Sequence, residues 1–271
     1  MQLTLEQASS PEWLDLMWST FFRGRGRGRS LVEHCPWLTD LERSRTWLAT
    51  IRDDRSQLVA GLALRRHSAQ SDTASVGLVC VRADRRGQGL SKSLLTGAIE
   101  QAHALGMTRL TLWTGKPVVY LKLGFQARDS ALFGWVRNEA SSPASMTSPM
   151  RRLAWPDGAE RQGHNRGLPP FAVDAYRLID GLDRAQAIVV DDGSGPIVAE
   201  WSGDESDVAQ LVRASLPARW RMNSLRGDRL IAELVGAGLE VDLNASCLQM
   251  WRTDVDRARN ALPPLRVLDR I

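Results

Sequence analysis

The sequence predicts an α/β (α+β) architecture, and three observations carry that expectation. The run Ala74-Ser75-Val76-Gly77-Leu78-Val79-Cys80-Val81 is apolar on both of its alternating faces, as a strand covered on both sides at the centre of an open sheet must be. The glycine-containing turn Arg85-Arg86-Gly87-Gln88-Gly89-Leu90-Ser91 then leads into a helix in which Leu90, Leu94, Leu95, Ala98, Ile99 and Ala102 form one apolar stripe, with Lys92, Glu100 and Gln101 off it. Finally, strand-length apolar runs punctuated by turn residues occur both before this unit and again late in the chain.

The elements follow in order. Ser9-Ser10-Pro11-Glu12 has the form of a helix start, a serine cap with proline in the first turn, and leads into Trp13, Leu14, Met17, Trp18 and Phe21. The run Arg23-Gly24-Arg25-Gly26-Arg27-Gly28-Arg29 suits neither strand nor helix and reads as a cationic loop. It could contact an anionic acceptor or RNA, or simply connect two helices through solvent. Ser30 to Arg43 reads as a second helix broken or bent at Cys35-Pro36, because a residue preceding proline avoids helical angles, with Trp37 and Leu38 facing inward. Thr46 to Arg52 and Gln57 to His67 flank Asp53-Asp54-Arg55-Ser56 as a hairpin. With Ala74 to Val81 they make an antiparallel meander, and Arg109 to Thr114 joins beside it. A short apolar helix ends in Tyr120-Leu121-Lys122-Leu123-Gly124-Phe125, where Gly124 is placed to cap it, and Ala131 to Arg137 returns as a strand.

Composition then changes. Ser-Pro, Trp-Pro-Asp-Gly and Leu-Pro-Pro segments mark residues 141–170 as a linker, dividing the chain into a first domain, 1–140, and a second, 171–271. The second contains a faint copy of the first. Ala185 to Val190 and Ile197 to Trp201 form a hairpin, Asp207 to Ser215 a helix, Trp220 to Asn223 a strand, and Asp228 to Gly236 a helix ending near Gly238. Leu248 to Arg252 reads as the closing strand, in the place that the strand near Trp135 takes in the first copy.

At 271 residues, with 43% hydrophobic and 24% charged residues, the chain has the material for two cores, which excludes a wholly disordered protein. Thirty-five basic against thirty-one acidic residues, net +4, is a mild excess that compels no nucleic-acid partner. Cys35, Cys80 and Cys247 stand in no disulfide or metal spacing, and His67, His103 and His164 share none with any cysteine or acid, so no metal is expected. No leader-like opening and no apolar run near the ~20 residues that span a bilayer are present, so the expectation is a reduced, cytoplasmic protein without a membrane partner.

Glycines at the start of a helix that follows a central strand let backbone N–H groups approach a phosphate closely. The ordered set resembles the GNAT superfamily of acyl-CoA-dependent N-acetyltransferases. The family signature R-x-x-G-x-G/A reads Arg86, Gly89, Ser91, and Y-x-K-x-G-F is complete at Tyr120–Phe125. Two positions depart from the pattern. Ser91 replaces Gly or Ala, and Ala83 stands where a proline often precedes the turn.

The resemblance covers about fifty residues and implies a mixed, mostly antiparallel sheet flanked by helices, with a smaller GNAT-like second domain. It further implies that acetyl-CoA is the acyl donor, transferred directly in a ternary complex to a primary amine of a small-molecule acceptor. The backbone of Val79, Cys80 and Val81 would pair with pantetheine, and Arg86, Gly87, Gln88, Gly89, Leu90, Ser91 and Lys92 would hold the pyrophosphate. Tyr120 fits a general acid, since a phenol near pKa 10 stays protonated at neutral pH and a departing thiolate near 8.5 needs a proton. A half-buried core tyrosine is the structural alternative. No base is assigned; Glu33 and His34 are candidates. Trp13, Trp18 and Trp37 could wall an acceptor pocket or pack the core. The second copy lacks the glycine turn, has Leu234 where the first has Tyr120, and reads as inactive. Two further readings stay open, a protein- or RNA-associated acetyltransferase using the Arg-Gly loop and a non-catalytic acyl-CoA-binding module, as does a homodimer. Nucleic-acid binding is not the expectation.

Overall fold

The structure is a computed structural model that describes residues 2–7, 10–22, 31–38, 45–68, 71–138, 150–155, 167–169, 171–253 and 265–269; the Arg-Gly run lies outside them. Along the first half run β1 (Gln2–Glu6), α1 (Pro11–Phe21), α2 (Leu31–His34), β2 (Thr46–Arg52), β3 (Leu58–Arg66), β4 (Thr73–Val81), α3 (Leu90–Ala104), β5 (Arg109–Trp113), α4 (Pro117–Leu121), β6 (Gln126–Ala127) and β7 (Ala131–Arg137). The second half holds β8 (Arg151–Ala154), β9 (Asp174–Ile179), β10 (Ala185–Asp191), β11 (Pro196–Gly203), α5 (Glu205–Ser215), β12 (Arg219–Leu225), α6 (Arg229–Gly236), β13 (Glu240–Ala245) and β14 (Gln249–Thr253). The α/β architecture with mixed, mostly antiparallel sheets is present twice.

Local sequence accounts for most of this. The Ser10 side chain accepts the Trp13 N–H at the start of α1, with Pro11 beside it, as the cap pattern requires. All six residues of the α3 stripe are buried. They pack on β2, β3 and β4 with Leu3 and Leu5 of β1, a strand whose only sequence signal was the short alternation Leu3-Thr4-Leu5. The second helix breaks at Cys35-Pro36: α2 stops at His34, Cys35 precedes the proline, and Pro36–Leu38 form a 3-10 turn with Trp37 and Leu38 buried, while residues 39–44 lie outside the described residues. Within 141–170, Arg151–Ala154 is an edge strand on β9, and Trp155 and Leu168 are buried.

The two sheets repeat one order. The first runs β1-β2-β3-β4-β5-β14-β6 and the second β8-β9-β10-β11-β12-β7-β13, each with a single parallel pair, β4–β5 and β11–β12. The last strand of each half is exchanged. Segment 131–137, which the sequence placed at the end of the first sheet, lies between β12 and β13 of the second; 249–253 lies between β5 and β6 of the first. Nothing in the apolar pattern of either strand specifies its sheet, because each fills an equivalent slot in the repeated strand order.

One carboxylate sits at the crossing. Asp129 accepts from the Ala131 N–H through Oδ1 (2.8 Å), at the start of β7, and through Oδ2 from the N–H groups of Leu248 (2.9 Å) and Gln249 (3.1 Å), at the start of β14. Inside the first sheet, β14 is well buried. Met250 and Trp251 have almost no exposed surface, and the Gln249 side-chain amide donates to Thr111 Oγ1 (3.0 Å) while that hydroxyl donates to the Met250 carbonyl (3.1 Å).

The exchange makes each half depend on the other. A fragment of residues 1–140 would leave β5 and β6 without their common neighbour and strip β7 of both partners, so many backbone groups would lose their pairing. Its thermal unfolding, followed by circular dichroism, should show no cooperative transition, whereas a fragment melting as sharply and as high as the full chain would contradict this.

Candidate functional site

β4 changes character along its length. It pairs in parallel with β5 only at Thr73↔Arg109, Ala74↔Leu110 and Ser75↔Thr111, after which the two strands part and that edge of β4 has no strand neighbour. On its other edge the register with β3 slips, Gly61↔Cys80 but Ala63↔Gly77, which inserts one extra residue into β4. Leu78 carries the slip at φ 52°, in the left-handed region. The face of the strand inverts there. Ala74 and Val76 pack on the α3 core, whereas beyond Leu78 it is Val79 and Val81 that do so, and Leu78 and Cys80 turn to the core under α1. The bulge thus re-aims the backbone of Val79, Cys80 and Val81 at the point where the strands separate. No sequence signal marked it, since Leu78 sits in an unbroken apolar run.

Residues 82–89 connect β4 to α3. Arg85 of this turn reaches Asp53 in the β2–β3 hairpin (2.9 Å), and Arg82 reaches Asp84 (2.7 Å) and Gln57 (3.2 Å). Burial pushes the Asp53 carboxyl up, but the backbone N–H groups of Gln57 and Arg55 and the guanidiniums of Arg85 and Arg82 outweigh it and leave the pKa below the usual carboxylate range. Arg85 is therefore a strut. Arg86 donates through Nε to the Val81 carbonyl (3.2 Å) at the strand end.

Gly87 and Gly89 have φ 78° and 75°, and space around both is open where a Cβ would stand. Gly89 caps α3 with no side-chain hydrogen bond, so the N–H groups of Leu90 and Ser91 keep their free directions at the positive end of the helix dipole. Ser91 is partly buried and Lys92 exposed, its N–H bonded to the Gly89 carbonyl (3.0 Å).

α4 begins beyond the C-terminal end of β5, as the glycine turn begins beyond that of β4. Its end explains the Y-x-K-x-G-F pattern. The Phe125 N–H bonds to the Tyr120 carbonyl (3.2 Å) and the Gly124 N–H to the Leu121 carbonyl (3.1 Å), with Gly124 at φ 83°. This is a Schellman cap, whose usual apolar contact is here the T-shaped pair Tyr120–Phe125, centroids 6.0 Å apart. Burial raises the Tyr120 pKa above that of an ordinary phenol. Arg252 of β14 donates to the Leu123 carbonyl (2.7 Å) in the same cap. Sequence reading assigned that arginine to the other half of the chain and so missed it here.

The other candidates fall elsewhere. His34 is buried, stacks near Phe22 and Trp18, and its Nδ1 meets the Leu168 carbonyl at 2.9 Å, which ties α2 to segment 167–169. The Glu33 side chain lies outside the described residues. Trp13 and Trp37 are core residues, and Trp18 stacks on Phe22. Among the described residues no group of His, Cys, Asp or Glu is placed to hold a metal ion, and no helix is long and apolar enough to cross a membrane.

The second half offers a built-in comparison. The α6 cap repeats the first, Gly238 N–H to the Val235 carbonyl and Leu239 N–H to the Leu234 carbonyl, so Leu234 occupies the place of Tyr120. β11 and β12 also part, after Val198↔Met222. Yet Asp204 alone joins β11 to α5, and its carboxylate accepts the N–H groups of Ser206 (3.0 Å) and Asp207 (3.3 Å), with Glu205 and Asp207 adding negative charge. Residues 265–269 lie across the parted strands. Arg266 stacks over Trp201 of β11 (4.1 Å) and pairs with Asp228 through both nitrogens (3.0 Å each), and the Val267 N–H donates to Asn223 of β12 (2.8 Å).

The sequence of residues 10–125 matches the acetyltransferase (GNAT) family. Residues 10–125 are a GNAT-family domain. Solved structures share the fold over both halves. A GCN5-related N-acetyltransferase from Kribbella flavida superposes with TM-score 0.58 at 16% identity, over 93% of this chain and 71% of its own. A probable N-acyltransferase from Enterococcus faecalis gives 0.60 at 13% identity, over 93% and 73%. A tandem GNAT protein from the clavulanic acid biosynthesis pathway gives 0.53 at 13%, over 93% and 98%, so the tandem arrangement spans nearly all of both chains. No match is found among curated proteins.

Burial pushes the thiols of Cys35 and Cys80 up to about 12, whereas Cys247 is exposed. A thiolate is the reactive form, so a disulfide-exchange reagent near pH 8 should titrate one thiol in the native protein and three in denaturant. Rapid native reaction of Cys80 would show that the strand edge at the bulge is open on the wrong face.

Proposed function

We propose that the first half is an acyl-CoA-dependent N-acyltransferase, with acetyl-CoA as donor and a primary amine of a small molecule as acceptor. The observation that carries this reading is the parted edge of β4 leading into an uncapped helix N-terminus behind two left-handed glycines. An extended pantetheine arm can add to the backbone of Val79, Cys80 and Val81 as a further strand would. The N–H groups of Gly87 to Ser91, between Arg86 and Lys92, then suit the pyrophosphate, and the open space at Gly87 and Gly89 fits that group without displacement of side chains.

In the reaction the amine nitrogen forms a bond to the thioester carbon while the carbon–sulfur bond breaks. Tyr120 supplies its phenolic proton to the departing thiolate, the acceptor loses one proton to solvent or to a base this reading leaves unassigned, and the Tyr120 phenolate regains a proton from solvent, so that one proton passes in net from nitrogen to sulfur. Because burial raises the Tyr120 pKa, the hydroxyl keeps its proton through the range where a coenzyme thiolate, near 8.5, remains ionised. The second half, with its helix terminus satisfied by Asp204 and leucine at 234, takes no coenzyme in this reading.

Calorimetry should therefore give one acetyl-CoA per chain. Gly89→Glu, which forces a side chain into left-handed backbone and sets a carboxylate against the phosphates, should weaken binding by about tenfold or more. Unchanged affinity in this variant would remove the turn from the site. Tyr120→Phe keeps the ring packing but lacks the proton, so kcat, followed by thiol release, should fall about a hundredfold with coenzyme affinity little altered. For the wild type, kcat should show no loss from Tyr120 ionisation until pH exceeds about 10, since the raised pKa holds the acid form above that point. Full turnover in Tyr120→Phe with chemistry rate-limiting would refute the acid role.

A further inference from the structure

We infer that Arg252, supplied by the exchanged strand of the second half, is a positioning residue for Tyr120. The inference rests on the reading of Tyr120 as the acid of the first-half site. Three observations carry it. β14 pairs with both strands that bracket α4, with Trp251 opposite Thr111 of β5 and Gln126 of β6, so the loop bearing Tyr120 is a bridge whose two piers are held by one inserted strand. The Arg252 guanidinium donates to the Leu123 carbonyl at 2.7 Å, inside a cap in which the Leu123 and Phe125 N–H groups both bond the Tyr120 carbonyl (2.9 and 3.2 Å). Its Nη1 also stands 3.2 Å from where a Cβ on Gly124 would be, so the guanidinium packs directly over the left-handed residue that ends the cap.

A helix of five residues has little stability of its own, and its final carbonyls are short of partners. A fixed charged donor from a buried strand supplies one. The ring of Tyr120 is then set through its own carbonyl and through its edge contact with Phe125, and a general acid works only when its proton lies within hydrogen-bond reach of the leaving atom. The site of the first half is thus incomplete without the second half, although the second half holds no coenzyme of its own.

The test uses the full chain and a double-mutant cycle. Arg252→Met keeps an apolar stem and removes the donor; Arg252→Gln serves the same cycle should Arg252→Met fail to fold. Amide hydrogen exchange at Gly124 and Phe125 should quicken about tenfold while that of α3 is unchanged. With acetyl-CoA and an amine acceptor, kcat should fall about tenfold at a KM for acetyl-CoA within about twofold, and in a Tyr120→Phe background the same substitution should lower kcat by less than about twofold more. Arg252→Lys, which retains a cationic donor, should recover most of both effects. Unchanged exchange at Gly124 and Phe125, unchanged kcat, or an equal loss of kcat with and without the Tyr120 hydroxyl would each overturn the inference. If exchange quickens but Tyr120→Phe itself turns over normally, the catalytic half of the inference falls together with the acid role, and Arg252 is left as a cap donor only.

Discussion

The exchange of closing strands governs this molecule. Each sheet leaves a slot between the strand of its parallel pair that precedes the short helix and the strand that follows that helix, and in both cases the slot is filled from the other half. Asp129 marks the crossing, where one carboxylate holds the start of β7 and the start of β14 together. Because strand pairing satisfies backbone groups that would otherwise face water or remain unpaired, neither sheet can be completed by its own covalent segment as folded here. The tandem arrangement is thus more than two beads on a string.

Within that frame the two halves diverge at their helix termini. Both keep the parted parallel pair and the Schellman cap, which are properties of the scaffold. They differ where a ligand would be held. In the first, residues 82–89 form an extended turn with two left-handed glycines and leave the start of α3 without a side-chain cap; in the second, the Asp204 carboxylate already accepts the N–H groups that a phosphate would use. The segment 265–269 then lies across the second opening with Arg266 locked between Trp201 and Asp228. On the proposed function, the same fold is a site in one copy and a support in the other.

Much of this was legible in the residues. The two-faced apolar run of β4, the α3 stripe and the Tyr120–Phe125 ending are local patterns, and local patterns survive in a single sequence. The correspondence of Leu234 with Tyr120, read from sequence spacing, reappears as matching hydrogen bonds in the two caps. What escaped was non-local. The apolar residues of Ala131–Arg137 and Gln249–Thr253 say that each is a strand but not which sheet receives it, and Leu78 looks like any leucine until its φ is known. Arg252 likewise bears no mark of its contact with Leu123, more than a hundred residues away.

The central claim is that one acyl-CoA site exists, built on β4, the glycine turn and the Tyr120 loop of the first half. Amide hydrogen exchange with and without saturating acetyl-CoA tests it most directly, because the proposed contacts to the pantetheine arm and pyrophosphate engage backbone N–H groups. Slowed exchange across residues 79–81 and 86–92, with none across residues 199–207, is the result expected. Protection confined to the second half, or absent from 79–81 and 86–92 at saturation, would contradict it.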